Sequence, residues 1–172
     1  MIKADNMILL GATARNTGKT ALAIALIEEY SKEGPVVAIK VITVHSHDDV
    51  CPRGGAGCGI CSGLKGSYEI REETGEGNKD TMLFGKAGAR KVFLVRAYPE
   101  GLEEAMAEVF AGTNRDDLII CESNSVRRVV VPGEFVMIRE PGRPVKSSAK
   151  AVIDDADRII EDYREYKIGN VL

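Results

Sequence analysis

Lys19, Thr20 and Glu122 are the residues whose types and surroundings point most directly to chemistry. The run Gly11-Ala12-Thr13-Ala14-Arg15-Asn16-Thr17-Gly18-Lys19-Thr20 follows four apolar residues, Met7 to Leu10, and leads into Ala21-Leu22-Ala23-Ile24-Ala25-Leu26-Ile27. A buried strand, a small-residue loop and a helix start in that order are the setting of a phosphate-binding loop. In such a loop the backbone N–H groups of Thr13, Ala14, Arg15, Asn16, Thr17 and Gly18, and of the first helical turn through Ala21, point at the phosphates of a nucleotide. Lys19 then reaches the β- and γ-phosphate oxygens and stabilises their charge during hydrolysis. The Thr20 hydroxyl ligates Mg²⁺. Where the usual pattern has its first Gly, this chain has Thr13. Gly11 lies two residues earlier.

Glu122 closes a second apolar run, Leu118-Ile119-Ile120-Cys121-Glu122. A carboxylate at the end of a buried strand is where phosphate-loop NTPases place the acid that holds Mg²⁺ and organises the attacking water. Lys40 ends the apolar stretch of Val36-Val37-Ala38-Ile39 and can approach the phosphates, and Asp80 can help position nucleotide or metal. Asn78-Lys79-Asp80 is too compact to be a guanine-reading motif and follows no strand.

A second constellation lies in a Gly-rich stretch, residues 45 to about 80. His45, His47, Cys51, Cys58 and Cys61 fall within 17 residues. Cys58 and Cys61 form a Cys-x-x-Cys pair, whose thiolates face one ion across a tight turn. Cys51 is a third candidate ligand, and Cys121 or a histidine a fourth. Such a set suits tetrahedral Zn²⁺ or an iron–sulfur cluster, and spacing alone does not separate the two. Cys121 on its own reads as a core residue of its strand.

These groups must be held by a scaffold, and the pattern of elements supplies one. Apolar, β-branched runs at 7–10, 36–44, 91–96, 116–122 and 135–138 read as strands. Helical spacing covers 19–33, 81–89 and 99–111, the last with Pro99 at its start. The tail from Ser147 reads as helix through Tyr163, with a short strand at 158–160 as the alternative. Residues 1–6 read as a polar lead-in, and residues 45–80 as an insertion too long for a plain connection. Strands alternating with helices indicate an α/β domain: a three-layer phosphate-loop NTPase fold with a predominantly parallel sheet. In such sheets the ligand binds beyond the carboxyl ends of the strands, and Lys19, Lys40 to His47, Arg96 and Glu122 fall at those ends.

At 172 residues the chain is expected to be one domain. A net charge of −3 gives no case for nucleic acid or an acidic membrane as partner. No apolar stretch is long enough to cross a bilayer, and no secretory signal is evident, which points to the cytoplasm. Four cysteines in such a setting read as metal ligands rather than disulfides.

Beyond the general phosphate loop, Val37-Ala38-Ile39-Lys40 followed by His45 and His47, then Lys79-Asp80-Thr81 and Ala87-Gly88-Ala89, resemble the MobB family. Those are P-loop proteins of molybdopterin-guanine dinucleotide biosynthesis, and the likeness spans residues 7–97 plus the strand ending in Glu122. It implies a GTP- or ATP-binding protein with slow Mg²⁺-dependent hydrolysis that assists a cofactor-biosynthesis nucleotidyltransferase or metalloenzyme. A homodimer is plausible on the same ground. By position, Gly18, Lys19 and Thr20 bind nucleotide, and Asp80 and Glu122 lie near the metal. The Cys-rich insertion departs from the typical member, so another metallocofactor pathway stays open. Two further readings remain: a nucleotide-switched metallochaperone or metal/redox sensor working through the Cys loop, and a small-molecule kinase.

Overall fold

A computed structural model describes residues 1–44 and 64–168. The chain runs β1 (Ile2–Ala12), α1 (Lys19–Tyr30), β2 (Val36–Thr43), β3 (Tyr68–Glu72), α2 (Asp80–Lys86), β4 (Lys91–Ala97), α3 (Leu102–Ala111), β5 (Leu118–Glu122), β6 (Val130–Ile138), α4 (Ser147–Lys150) and β7 (Arg158–Ile160). Short 3₁₀ turns sit at Pro99–Gly101 and Ser125–Arg128. The strands form one sheet in the order β3-β4-β2-β5-β1-β6-β7. Every neighbouring pair is parallel except β3 with β4.

The uninterrupted apolarity of the central strands has its cause in burial on both faces. On one face Leu22, Ala23, Leu26 and Ile27 of α1 and Phe84 of α2 pack on Ile8, Leu10, Ala38, Ile120 and Val136. On the other, Leu102, Ala105, Met106 and Val109 of α3 cover Leu9, Val37, Ile39, Ile119 and Cys121. Full burial of each large side chain contributes about 2 kcal/mol, which is what holds helices this short. The architecture is the three-layer α/β arrangement expected from the alternation of elements.

Three expectations are corrected. The polar lead-in is strand: Ile2, Lys3 and Ala4 pair with Val130, Val131 and Pro132, and an irregularity between Ala4 and Ile8 separates this segment from the apolar run. Within the supposed insertion, Tyr68–Glu72 forms an antiparallel edge strand on β4, with Tyr68 and Ile70 packed on the core. Its other residues, Glu69, Arg71 and Glu72, are charged, which suits a sheet edge. The tail is not one helix. After the single turn α4 the chain passes a 3₁₀ turn at Ile153–Asp155 and then pairs as β7 with β6, so the alternative of a strand at 158–160 is correct. Asp157 explains the break. Its carboxylate accepts the Phe135 N–H at 2.7 Å and its own N–H donates to the Phe135 carbonyl at 2.9 Å, which starts strand pairing in place of a helix.

Candidate functional site

The loop between β1 and α1 is shaped by two left-handed residues, Asn16 (φ 56°) and Gly18 (φ 96°). Asn tolerates that region and Gly has no penalty there. Gly18 is required twice over, since a Cβ at this position would lie 2.7 Å from Cδ1 of Tyr163. Among the described residues, the N–H groups of Asn16, Thr17 and Gly18 donate to no acceptor, and the first hydrogen bond of α1 is Leu22 N–H to the Gly18 carbonyl at 2.8 Å. A curled loop with unspent donors at the start of a twelve-residue helix has the electrostatics of an anion cradle.

Beside this loop β5 ends at Glu122, in register with Leu10 of β1 and Lys40 of β2. The Glu122 side chain is 7% exposed and meets three groups, a hydroxyl and two ammonium groups. The Thr20 hydroxyl donates to Oε2 at 3.1 Å. Lys40 Nζ lies 3.3 Å from both carboxylate oxygens and also pairs with Asp80 at the start of α2. Lys19 Nζ stands 3.8 Å from Oε1. Lys19 is held below the ordinary lysine pKa: burial is the main cause, and the Lys40 charge adds to it against the opposing pull of Glu122. Two ammonium groups are thus gathered on one carboxylate, and a second carboxylate, Asp80, shares Lys40.

Thr20 and Glu122 also fit a hard divalent cation. Their side-chain oxygens already lie together, and Mg²⁺ takes one or two protein oxygens alongside phosphate and water. Among the described residues no group of three or more His, Cys, Asp or Glu side chains is gathered for a metal.

The third wall comes from the segment after β6, which sequence reasoning did not single out. It is laced over the β1–α1 loop by Lys146 N–H to the Thr13 carbonyl at 2.9 Å, Glu140 N–H to Thr13 Oγ1 at 3.2 Å, and Arg143 Nη1 to the Arg15 carbonyl at 3.1 Å. The Lys146 side chain thereby lines the cleft, and its pKa falls to about 8 through burial and the neighbouring Lys19 and Arg15 charges. The cleft so formed has a volume of about 1040 Å³. Among the described residues Arg15, Lys19, Lys40, Arg128, Arg143 and Lys146 line it, against the carboxylates of Asp80 and Glu122 alone. In a chain of net charge −3, that local concentration of positive charge would favour an anionic ligand.

The structure therefore brings together Ala14, Arg15, Asn16, Thr17, Gly18, Lys19, Thr20, Ala21, Lys40, Asp80 and Glu122 on one cleft. Thr13 does not join them. It is fully buried beneath the loop, and its N–H, hydroxyl and carbonyl are committed to Ile138, Glu140 and Lys146. A Gly there would lose the hydroxyl contact, so the departure from the usual pattern is a structural tie. Arg96 turns to Glu69 on β3 and does not line the cleft. Cys121 is fully buried in the apolar cluster under α3, where burial raises its thiol pKa, and it belongs to no group of three or more His, Cys, Asp or Glu side chains among the described residues. His45, His47, Cys51, Cys58 and Cys61 lie outside the described residues. Asn124 was also missed: its side chain accepts the Ala12 N–H at 2.9 Å and donates to the Ala12 carbonyl at 3.0 Å, extending β5's grip on β1 to the lip of the loop.

Compared with protein-family models, with curated proteins and with solved structures, the chain matches none.

Proposed function

We propose that this chain is a Mg²⁺-dependent nucleoside-triphosphate-binding protein, with GTP or ATP as ligand and slow hydrolysis, serving metallocofactor biosynthesis as the MobB resemblance implies. The observation that carries the nucleotide reading is the meeting of Lys19, Thr20 and Glu122 beside a loop whose Asn16, Thr17 and Gly18 N–H groups have no acceptor among the described residues. Bound Mg²⁺ would neutralise charge on the β- and γ-phosphates. The loop amides orient the phosphate chain, Lys19 stabilises charge that develops on it, and Glu122 fixes the Thr20 hydroxyl and both lysines. Among the described residues Glu122 is the sole buried carboxylate lining the cleft, and its oxygens are already engaged by the Thr20 hydroxyl and two lysines, so slow turnover is expected.

Titration calorimetry with Mg·GTP and Mg·ATP, together with phosphate-release assays, tests this reading. One nucleotide should bind in the micromolar range, and Lys19→Ala should weaken it on the order of 100-fold, the effect of losing a buried charge-assisted contact. Binding that is absent in the wild-type protein, or equal in Lys19→Ala, refutes the proposal. A purification without oxygen followed by metal analysis tests the Zn²⁺ or iron–sulfur expectation separately.

A further inference from the structure

The sheet edge at the cleft is stepped. β5 stops at Glu122, but β2 runs on through Val41, Ile42 and Thr43, none of which has a partner on β5. This leaves a notch beside the projecting end of β2, while Ser123 and Asn124 continue from Glu122 along β1. One wall is the projecting end of β2. The other is the 3₁₀ turn Ser125–Arg128 that follows β5, and Pro99, after β4, closes the far side.

This notch is not where a triphosphate is held. The loop amides, Lys19 and Thr20 grip phosphate over β1 and α1, and Lys146 and Arg143 extend that grip toward β6, away from β2. The phosphate chain thus ends at Lys19, Thr20, Glu122 and Lys40, with the notch beyond it. Two groups in the notch have no side-chain partner among the described residues. Arg128 is exposed, lines the cleft, and has no ion pair or hydrogen bond among the described residues. The Thr43 hydroxyl is buried with no hydrogen-bond partner among them, a state that costs on the order of 1–3 kcal/mol unless a ligand or water relieves it.

We propose that this notch is a second anion subsite, in which Arg128 and Thr43 hold the carboxylate or phosphate of a small co-substrate against the terminal phosphate of the nucleotide. The proposal rests on the nucleotide reading above and narrows it, because a hydrolase acting on water alone has no use for a fixed cation there. A planar guanidinium pairs with either oxyanion through two parallel hydrogen bonds, and a hydroxyl donor adds a third.

The experiment uses the full chain saturated with Mg²⁺ and a non-hydrolysable triphosphate analogue, titrated in separate runs with inorganic phosphate and with succinate. Wild-type protein should show one saturable site for at least one of the two probes, and the probe that saturates distinguishes phosphate from carboxylate. Arg128→Gln should weaken that binding at least about tenfold, and by more than it weakens binding of the analogue. Thr43→Val should weaken it less. Arg128 is exposed, so its variant does not threaten the fold. No saturation by either probe in the wild type, or unchanged binding in Arg128→Gln, overturns the subsite. Should the analogue itself fail to bind, the nucleotide reading falls; the same titrations on the free protein, with Arg128→Gln beside the wild type, still decide the subsite.

Discussion

Glu122→Gln isolates the charge balance of the site, because it keeps the shape of the side chain and removes only its charge. In the native protein the carboxylate is 7% exposed and faces Lys40 at 3.3 Å and Lys19 at 3.8 Å, themselves 17% and 19% exposed. Lys40 retains Asp80 when the charge is lost; Lys19 has no other carboxylate partner among the described residues. Breaking a buried pair costs 3–5 kcal/mol, and the open side of the cleft reduces this to about 2–3 kcal/mol. For a chain of this length that lowers the Tm by roughly 4–10 °C. The loss depends on pH, and its sign follows from Lys19. Burial already holds the Lys19 pKa below the ordinary 10.5, and Glu122 is the main influence opposing that depression. Removing the carboxylate drives it lower. As pH falls from about 10.5 to that lower value, the unfolded chain takes up a proton that the folded chain does not, so the folded state loses ground. The variant should therefore be most destabilised near neutral pH and should approach the wild type as pH rises toward 10.5. Urea unfolding of both proteins at pH 7 and pH 10 measures this. Equal stability at pH 7, or a gap that widens at pH 10, refutes the reasoning.

Three other outcomes are expected. Nucleotide binding at pH 8.5 should take up protons, since Lys146 titrates near 8 in the free protein and a bound polyanion raises it; affinity then falls as pH climbs past 8. Calorimetry in two buffers of different ionisation enthalpy should show this uptake reduced in Lys146→Gln. Thr13→Gly, which restores the usual loop pattern, should cost about 1–2 kcal/mol in urea unfolding through the lost Glu140 contact and added chain freedom, with no gain in nucleotide affinity. Arg90→Ala should cost about 3 kcal/mol, read by the same method, because it strands the fully buried Asp117 carboxylate that Arg90 now meets at 2.6 Å.

The parts of the fold that were legible in the sequence are those where one physical cause dominates. β1, the phosphate loop and α1 appear as an apolar run, a small-residue turn and a helical stripe, and nothing nearby competes with that reading. Glu122 was legible for the same reason: a carboxylate ending five buried residues needs an explanation. β3 was hidden although Tyr68-Glu69-Ile70-Arg71-Glu72 alternates as a half-buried edge strand should, because the surrounding glycines suggested one long loop. In the tail, Val152, Ala156, Ile159, Ile160 and Tyr163 keep helical spacing by coincidence. Tertiary pairing to Phe135 and β6 outweighs it, and the spacing of five residues carries no record of that partner.

Lys146 shows what a one-dimensional reading leaves out. It stands alone in a Pro- and Gly-containing stretch with no motif around it, and only the stitching of that stretch to Thr13 and Arg15 brings its charge beside Lys19. The same stitching accounts for Thr13. In the usual loop, Gly lets the backbone turn without contact; here the turn is held from outside by a segment more than a hundred residues away in sequence. Thr13 and Lys146 are therefore one device, a side chain that anchors the covering segment and a charge that the segment delivers. The loop departs from the pattern at the point where the fold supplies a second wall. The proposed anion binding at this site would consequently depend on β6 and its exit as much as on the loop that sequence motifs recognise.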